Sequence, residues 1–163
     1  MRLVVVDTNV WVSAFLNRKG YPAQVKDAWV DGRFEAVVSV PVLREISEVL
    51  HRPRIKDKYN LTSVEINEFL ELLLRRAILL VTSGQLSLCR DTRDNMFLET
   101  AIVGGAECLV SRDDDLKGDS DLVLQMHANG VRVMTVSRFL QQLAAEGVSG
   151  EKNEPERGGR SSD

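Results

Sequence analysis

Cysteine and histidine are scarce in this chain, with two of each in 163 residues. Cys89 and Cys108 stand apart with no CxxC or Cys/His spacing, which excludes a disulfide framework and a structural zinc site. His51 and His127 fall at expected helix ends, far from any Ser/Asp partnership. No apolar run exceeds the five residues at 77–81 (AILLV), against the roughly 20 needed to cross a bilayer. Met1 and Arg2 lead straight into a strand pattern, unlike a secretory signal. With two unclustered cysteines, the cytoplasm is the expected compartment, with no membrane partner. P-loop, GxGxxG, heptad and internal repeat patterns are absent too.

The length suits one domain with a sizeable core. Net charge is −3, and residues 144–163 hold five of the acids against three bases. The other 143 residues carry 18 bases and 19 acids. A near-neutral body argues against a generic high-affinity nucleic-acid binder, yet leaves room for a polyanionic substrate at a local site. From Gly147 onward apolar residues nearly vanish, so the expected division is a folded domain over 1–145 and a disordered polar tail over 146–163.

Short β-branched runs alternate with helical patterns. Strands are expected at 2–6, 35–39, 78–82, 106–111 and 131–135. Helices are expected over 23–30, from Pro41 to Leu50 with Ser39 as N-cap, over 64–76 behind Thr62 or Ser63, and over 95–103, 120–129 and 136–145. The segment 10–16 (VWVSAFL) reads as helix or as a second apolar segment, and Pro53 reads as a stop. Alternation of this kind predicts an α/β fold with parallel pairing and right-handed crossovers. Ligands of such sheets bind beyond the carboxyl ends of the strands.

Four acidic motifs lie at the borders of these segments: VVVDTN ending at Asn9, PVLREI at 41–46, RDTRDN at 90–95 and VSRDDDL at 110–116. Asp7 and Asp113 follow strands, whereas Glu45 and Asp94 open helices leaving the same side. Each has an ordinary explanation. Asp7 suits a turn or helix cap, and Glu45 suits rim exposure or pairing with Arg44, Arg52 or Arg54. Asp94 suits the third position of a capping box begun by Asp91. Ser111 and Asp114 suit a cap, with Asp115 facing Lys117. Together, four chain-distant acids at one edge repel one another unless a cation joins them. Their oxygens match Mg²⁺ or Mn²⁺ and match zinc poorly. Two such ions could activate water and stabilise the attacking and leaving oxygens at phosphorus.

The stretches VVVDTNVWVSAFL (4–16), SVPVLREISEVLHRP (39–53), CRDTRDNMFLETAIVGGAECLVSRDDDL (89–116) and GVRVMTVSRFLQQL (130–143) resemble PIN-domain ribonucleases. The similarity is to the single-domain, VapC-like group of toxin–antitoxin systems. It implies a three-layer α/β/α fold around a five-stranded parallel sheet of order 3-2-1-4-5. It also implies cleavage of single-stranded RNA with Mg²⁺ or Mn²⁺, in homodimers inhibited by a cognate antitoxin. Asp7, Glu45, Asp94 and Asp113 would then be the catalytic, metal-holding acids. Asn9, Ser111 and Asp115 would support them, with Asp91 and Asn95 as further polar neighbours. The basic stretch 52–58 and Arg75–Arg76 could contact phosphate or form a solvated helix surface. Two other readings remain. A Mg²⁺ phosphohydrolase with an aspartyl nucleophile would prefer DxD after the first strand, where this chain has DTN. A non-catalytic interaction module would use the acids only as caps.

Overall fold

A computed structural model describes residues 1–112 and 120–151. Five parallel strands form one sheet in the order β3-β2-β1-β4-β5: β1 Leu3–Val6, β2 Glu35–Ser39, β3 Ile78–Leu80, β4 Cys108–Ser111 and β5 Arg132–Thr135. The central strand carries Val4, Val5 and Val6, all buried, as expected of a strand covered on both faces. Helices α1 (Thr8–Leu16) and α2 (Tyr21–Val30) link β1 to β2, and α3 (Val40–His51), α4 (Pro53–Lys58) and α5 (Ser63–Arg76) link β2 to β3. α6 (Asn95–Gly104) and α7 (Ser120–Ala128) carry the chain back across the sheet, and α8 (Val136–Glu151) closes it.

The direction of travel reverses between β3 and β4. Right-handed crossovers therefore put α1–α5 on one face and α6–α7 on the other. Contacts agree: α1, α2, α3 and α5 pack in a chain and α2 meets α8, while α6 lies on β1 and β2 and touches α7. Three layers result. On the first face Trp11 meets Trp29 edge-on at 5.0 Å, and Phe15 lies 5.0 Å from Phe69. On the second face, α6 approaches the sheet so closely that a Cβ on Gly104 would stand 2.5 Å from Val37 and 2.9 Å from Leu80. Glycine is required there by contact, and Gly105, at φ +63, by the left-handed turn that ends the helix.

Several expectations change in detail. Thr62 caps α5 by accepting the Glu65 N–H at 3.1 Å. Ser39 occupies the N-cap position of α3 but makes no side-chain cap. Its hydroxyl, fully buried under α6, instead accepts from Thr100 at 2.7 Å. Pro53 ends one helix and opens another, because a proline at the first helical position has no N–H to lose. α8 runs past 145 to Glu151, and its Glu146 pairs with Arg2. Residues 152–163 lie outside the described residues. Arg75 pairs with Glu71 one turn away, and Arg76 donates to the Val30 carbonyl at the end of α2, so this pair serves the helix surface. No described helix is long and apolar enough to cross a membrane.

Candidate active site

The sheet reverses its winding between β1 and β4, the switch point at which sheets of this kind form their ligand crevice, beyond the carboxyl ends of the strands. Register decides what meets there. Val6 pairs with Val110, and the Asp7 N–H continues the ladder to the Val110 carbonyl at 2.9 Å. Asp7 therefore stands beside Ser111, whose buried hydroxyl donates to its Oδ2 at 2.9 Å. The same carboxylate caps α1, accepting the Asn9 N–H at 3.4 Å. The capping explanation of Asp7 thus holds alongside its place at the crevice.

Glu45 enters from the second turn of α3. Its partner is Thr8, the buried first residue of α1, whose hydroxyl donates to Oε2 at 2.6 Å. This contact joins α1 to α3, and the side chain is half-buried. Asp94 comes from the opposite layer. Asp91 starts a 3-10 turn, Thr92–Asp94, by accepting the Arg93 N–H at 3.0 Å. Asp94 then stands at the N-cap of α6 without using its carboxylate as the cap. Arg93 donates to both Asp91 oxygens, at 3.2 and 2.9 Å. The hydrogen bond to Asp91 raises the already high pKa of Arg93, and the fields of Asp94 and Glu45 add to the effect. Both acids thus act on one guanidinium, although α3 and α6 belong to different layers.

Among the described residues, no three His, Cys, Asp or Glu side chains form a group that could enclose a metal ion by themselves. Asp113 and Asp115 lie outside the described residues, on the segment that follows β4. Asn95 fastens the loop that precedes it. Its side-chain oxygen accepts the N–H groups of Leu88 and Cys89, at 3.1 and 2.9 Å.

Sequence reasoning passed over Thr8, Arg93 and Glu99. Glu99 is 7% exposed on α6. It accepts the Ser83 hydroxyl at 2.9 Å and the N–H groups of Gly84 and Leu86 at 3.0 and 3.2 Å. Burial pushes its pKa up, but these donors outweigh burial and hold it below the ordinary glutamate value. The available signal is its isolation, as the one acid between Asn95 and Gly104 in a helix of otherwise mostly apolar residues.

Residues 3–115 match the PIN domain family. The chain belongs to the PIN-domain family. It is also 26% identical over 142 residues to an uncharacterized protein of Methanocaldococcus jannaschii, covering 86% of this chain and 90% of that one. Membership makes this PIN domain a nuclease-type hydrolase. PIN domains are typically dependent on divalent metal. The described donors at the crevice are carboxylate and hydroxyl oxygens, the chemistry that suits a hard divalent ion.

Proposed function

We propose that this PIN domain is a Mg²⁺- or Mn²⁺-dependent endoribonuclease that hydrolyses phosphodiester bonds of single-stranded RNA. We propose further that it is the toxin of a toxin–antitoxin pair, a homodimer held inactive by its cognate antitoxin in the cytoplasm. The observation that carries the nuclease reading is the pair of hydroxyl–carboxylate contacts, Ser111 to Asp7 and Thr8 to Glu45. They fix two acids from different elements at the sheet's switch point, each oriented by a hydroxyl.

Asp7, Glu45, Asp94 and Asp113 would hold the metal, with Asn9 and Asp115 in support. When bound, a divalent ion lowers the pKa of water and neutralises charge on the phosphate. The chain's own groups do the rest. Ser111 fixes Asp7 relative to β4, and Thr8 fixes the Oε2 of Glu45. That leaves Glu45 to position the attacking water and to accept its proton at the carboxylate. Asp91 holds the positive Arg93 at the rim, where it offsets repulsion between Glu45 and Asp94 before substrate arrives.

The test compares wild type with Asp7→Asn and Asp94→Asn on end-labelled single-stranded RNA, single-stranded DNA and duplex, each with Mn²⁺, Mg²⁺ or chelator. Cleavage confined to single-stranded RNA, lost with chelator and in either variant, is expected. Undiminished metal-dependent cleavage by either variant would remove that acid from the mechanism. Brief induction in cells tests the toxin role: wild type should arrest growth and Asp94→Asn should not. Normal growth with wild type, in cells lacking any inhibitor, removes that role.

A further inference from the structure

Beside the acids in the chain lies a concavity. A cleft of about 370 Å³ opens between the start of α3, the start of α6 and the strap formed by residues 82–87. It adjoins the candidate active site through two short covalent links. Pro41, in its wall, is one helical turn before Glu45. Thr92, also in its wall, belongs to the same 3-10 turn as Asp94. A nucleotide whose phosphate lies at the acids has this cleft within reach of its own base or of its neighbour's.

The lining argues for a base rather than a phosphate. Among the described residues it carries no lysine or arginine, and Glu99 contributes a carboxylate. An anion has nothing to recognise there. Pro41, Leu86 and Met96 give flat or pliant apolar surface, and a methionine thioether packs favourably against an aromatic ring. Gln85, Ser87 and Thr92 give groups that both donate and accept hydrogen bonds. Apolar walls with a few donor–acceptor groups match a planar heteroaromatic ring with a polar edge. Sequence-specific recognition of RNA works on such unstacked bases in single strands.

The cleft is also preformed. Glu99 and Asn95, on successive turns of α6, together accept five hydrogen bonds from Ser83, Gly84, Leu86, Leu88 and Cys89. A loop without regular secondary structure is thereby fastened along its length to a helix that begins beside Asp94. An organised wall of this kind lowers the ordering cost on binding.

We propose that this cleft is the base-recognition subsite of the enzyme, reading the nucleobase adjacent to the scissile phosphate, with Glu99 and Asn95 as the positioning residues that hold its wall. The inference rests on the ribonuclease reading. Its test digests a random-sequence single-stranded RNA pool and sequences the cleavage ends for wild type, Gln85→Ala, Thr92→Val and Met96→Ala, with Arg75→Ala as a distant control. Gln85 and Arg75 are exposed, so their substitution leaves folding intact. Wild type and Arg75→Ala should enrich one base at a fixed place relative to the cut. Gln85→Ala and Thr92→Val should lower that enrichment on the order of tenfold, the weight of a lost specific hydrogen-bond contact. In chelator, anisotropy titrations with four short homo-oligoribonucleotides should show a base preference that Gln85→Ala narrows. Identical base profiles in all variants, or no positional preference in wild type, overturn the subsite while leaving the nuclease standing. If wild type neither cuts nor binds the pool, both readings fall together.

Discussion

Glu45 and Glu99 sit on inward-facing parts of their helices, yet the protein surrounds them in opposite ways. Glu99 is enclosed by a hydroxyl and backbone N–H groups of one loop and is almost wholly buried. Glu45 is half-buried at an open edge and is oriented by the Thr8 hydroxyl. A carboxylate saturated with fixed donors is a structural anion, whose lone pairs are occupied and whose charge is compensated. One that keeps lone pairs toward a crevice can ligate a cation or accept a proton. The same side chain becomes scaffold or chemistry according to what its surroundings donate.

The largest expected effect comes from exchanging the two substitutions. Glu45→Gln should reduce metal-dependent cleavage by roughly 10²–10³-fold, the scale of losing one preorganised electrostatic group, while melting stays near wild type. Glu99→Gln should do the reverse. Its amide NH₂ would face donors rather than complement them, destabilising the fold by about 1.5–3 kcal/mol, as for hydrogen bonds to a charged group. Its folded pKa lies below the ordinary glutamate value, so the contribution is fully present above that value. It is lost as pH falls through the depressed one. The gap in unfolding free energy between wild type and Glu99→Gln should therefore be constant at neutral pH and shrink at acid pH. A gap that widened on acidification would contradict the assignment of Glu99 as a compensated anion.

A smaller effect sharpens the contrast from the donor's side. Thr8→Val keeps shape but removes the hydroxyl from Glu45, at a cost of about 1 kcal/mol. Turnover should fall several-fold, with RNA affinity little changed, because the carboxylate is released rather than deleted. A change in KM alone would mean that Thr8 serves binding and not the orientation of Glu45.

The strands were readable because β-branched runs such as residues 3–6 suit no place so well as the middle of a parallel sheet. Their order brought Asp7 beside Ser111. The contact of Thr8 with Glu45 was not readable, since it depends on how α1 and α3 cross, and local spacing does not contain that angle. α4 has no apolar stripe to mark it, since residues 53–58 (PRIKDK) are mostly polar, and Pro53 signals a stop and a start equally well. Ser39 looked like a cap, but the fold put Thr100 within reach of its hydroxyl. The strap has no periodicity at all. It is shaped by Asn95 and Glu99 from a helix already recognised, two polar residues hidden inside an apolar pattern.

The smallest predicted effect concerns Arg93, which is governed by both kinds of acid. Asp91 holds its guanidinium by two hydrogen bonds, and the fields of Asp94 and Glu45 also act on it. That attraction is reciprocal: a fixed positive charge near Glu45 and Asp94 disfavours a second cation there. Arg93→Gln should therefore tighten Mn²⁺ binding, by a few-fold only, because the guanidinium is exposed and screened by solvent. The difference should fade as ionic strength rises. Calorimetric titration at low and high salt reads it directly. Unchanged or weaker Mn²⁺ binding at low salt would separate Arg93 from the acids of the crevice and leave its pairing with Asp91 as a surface turn.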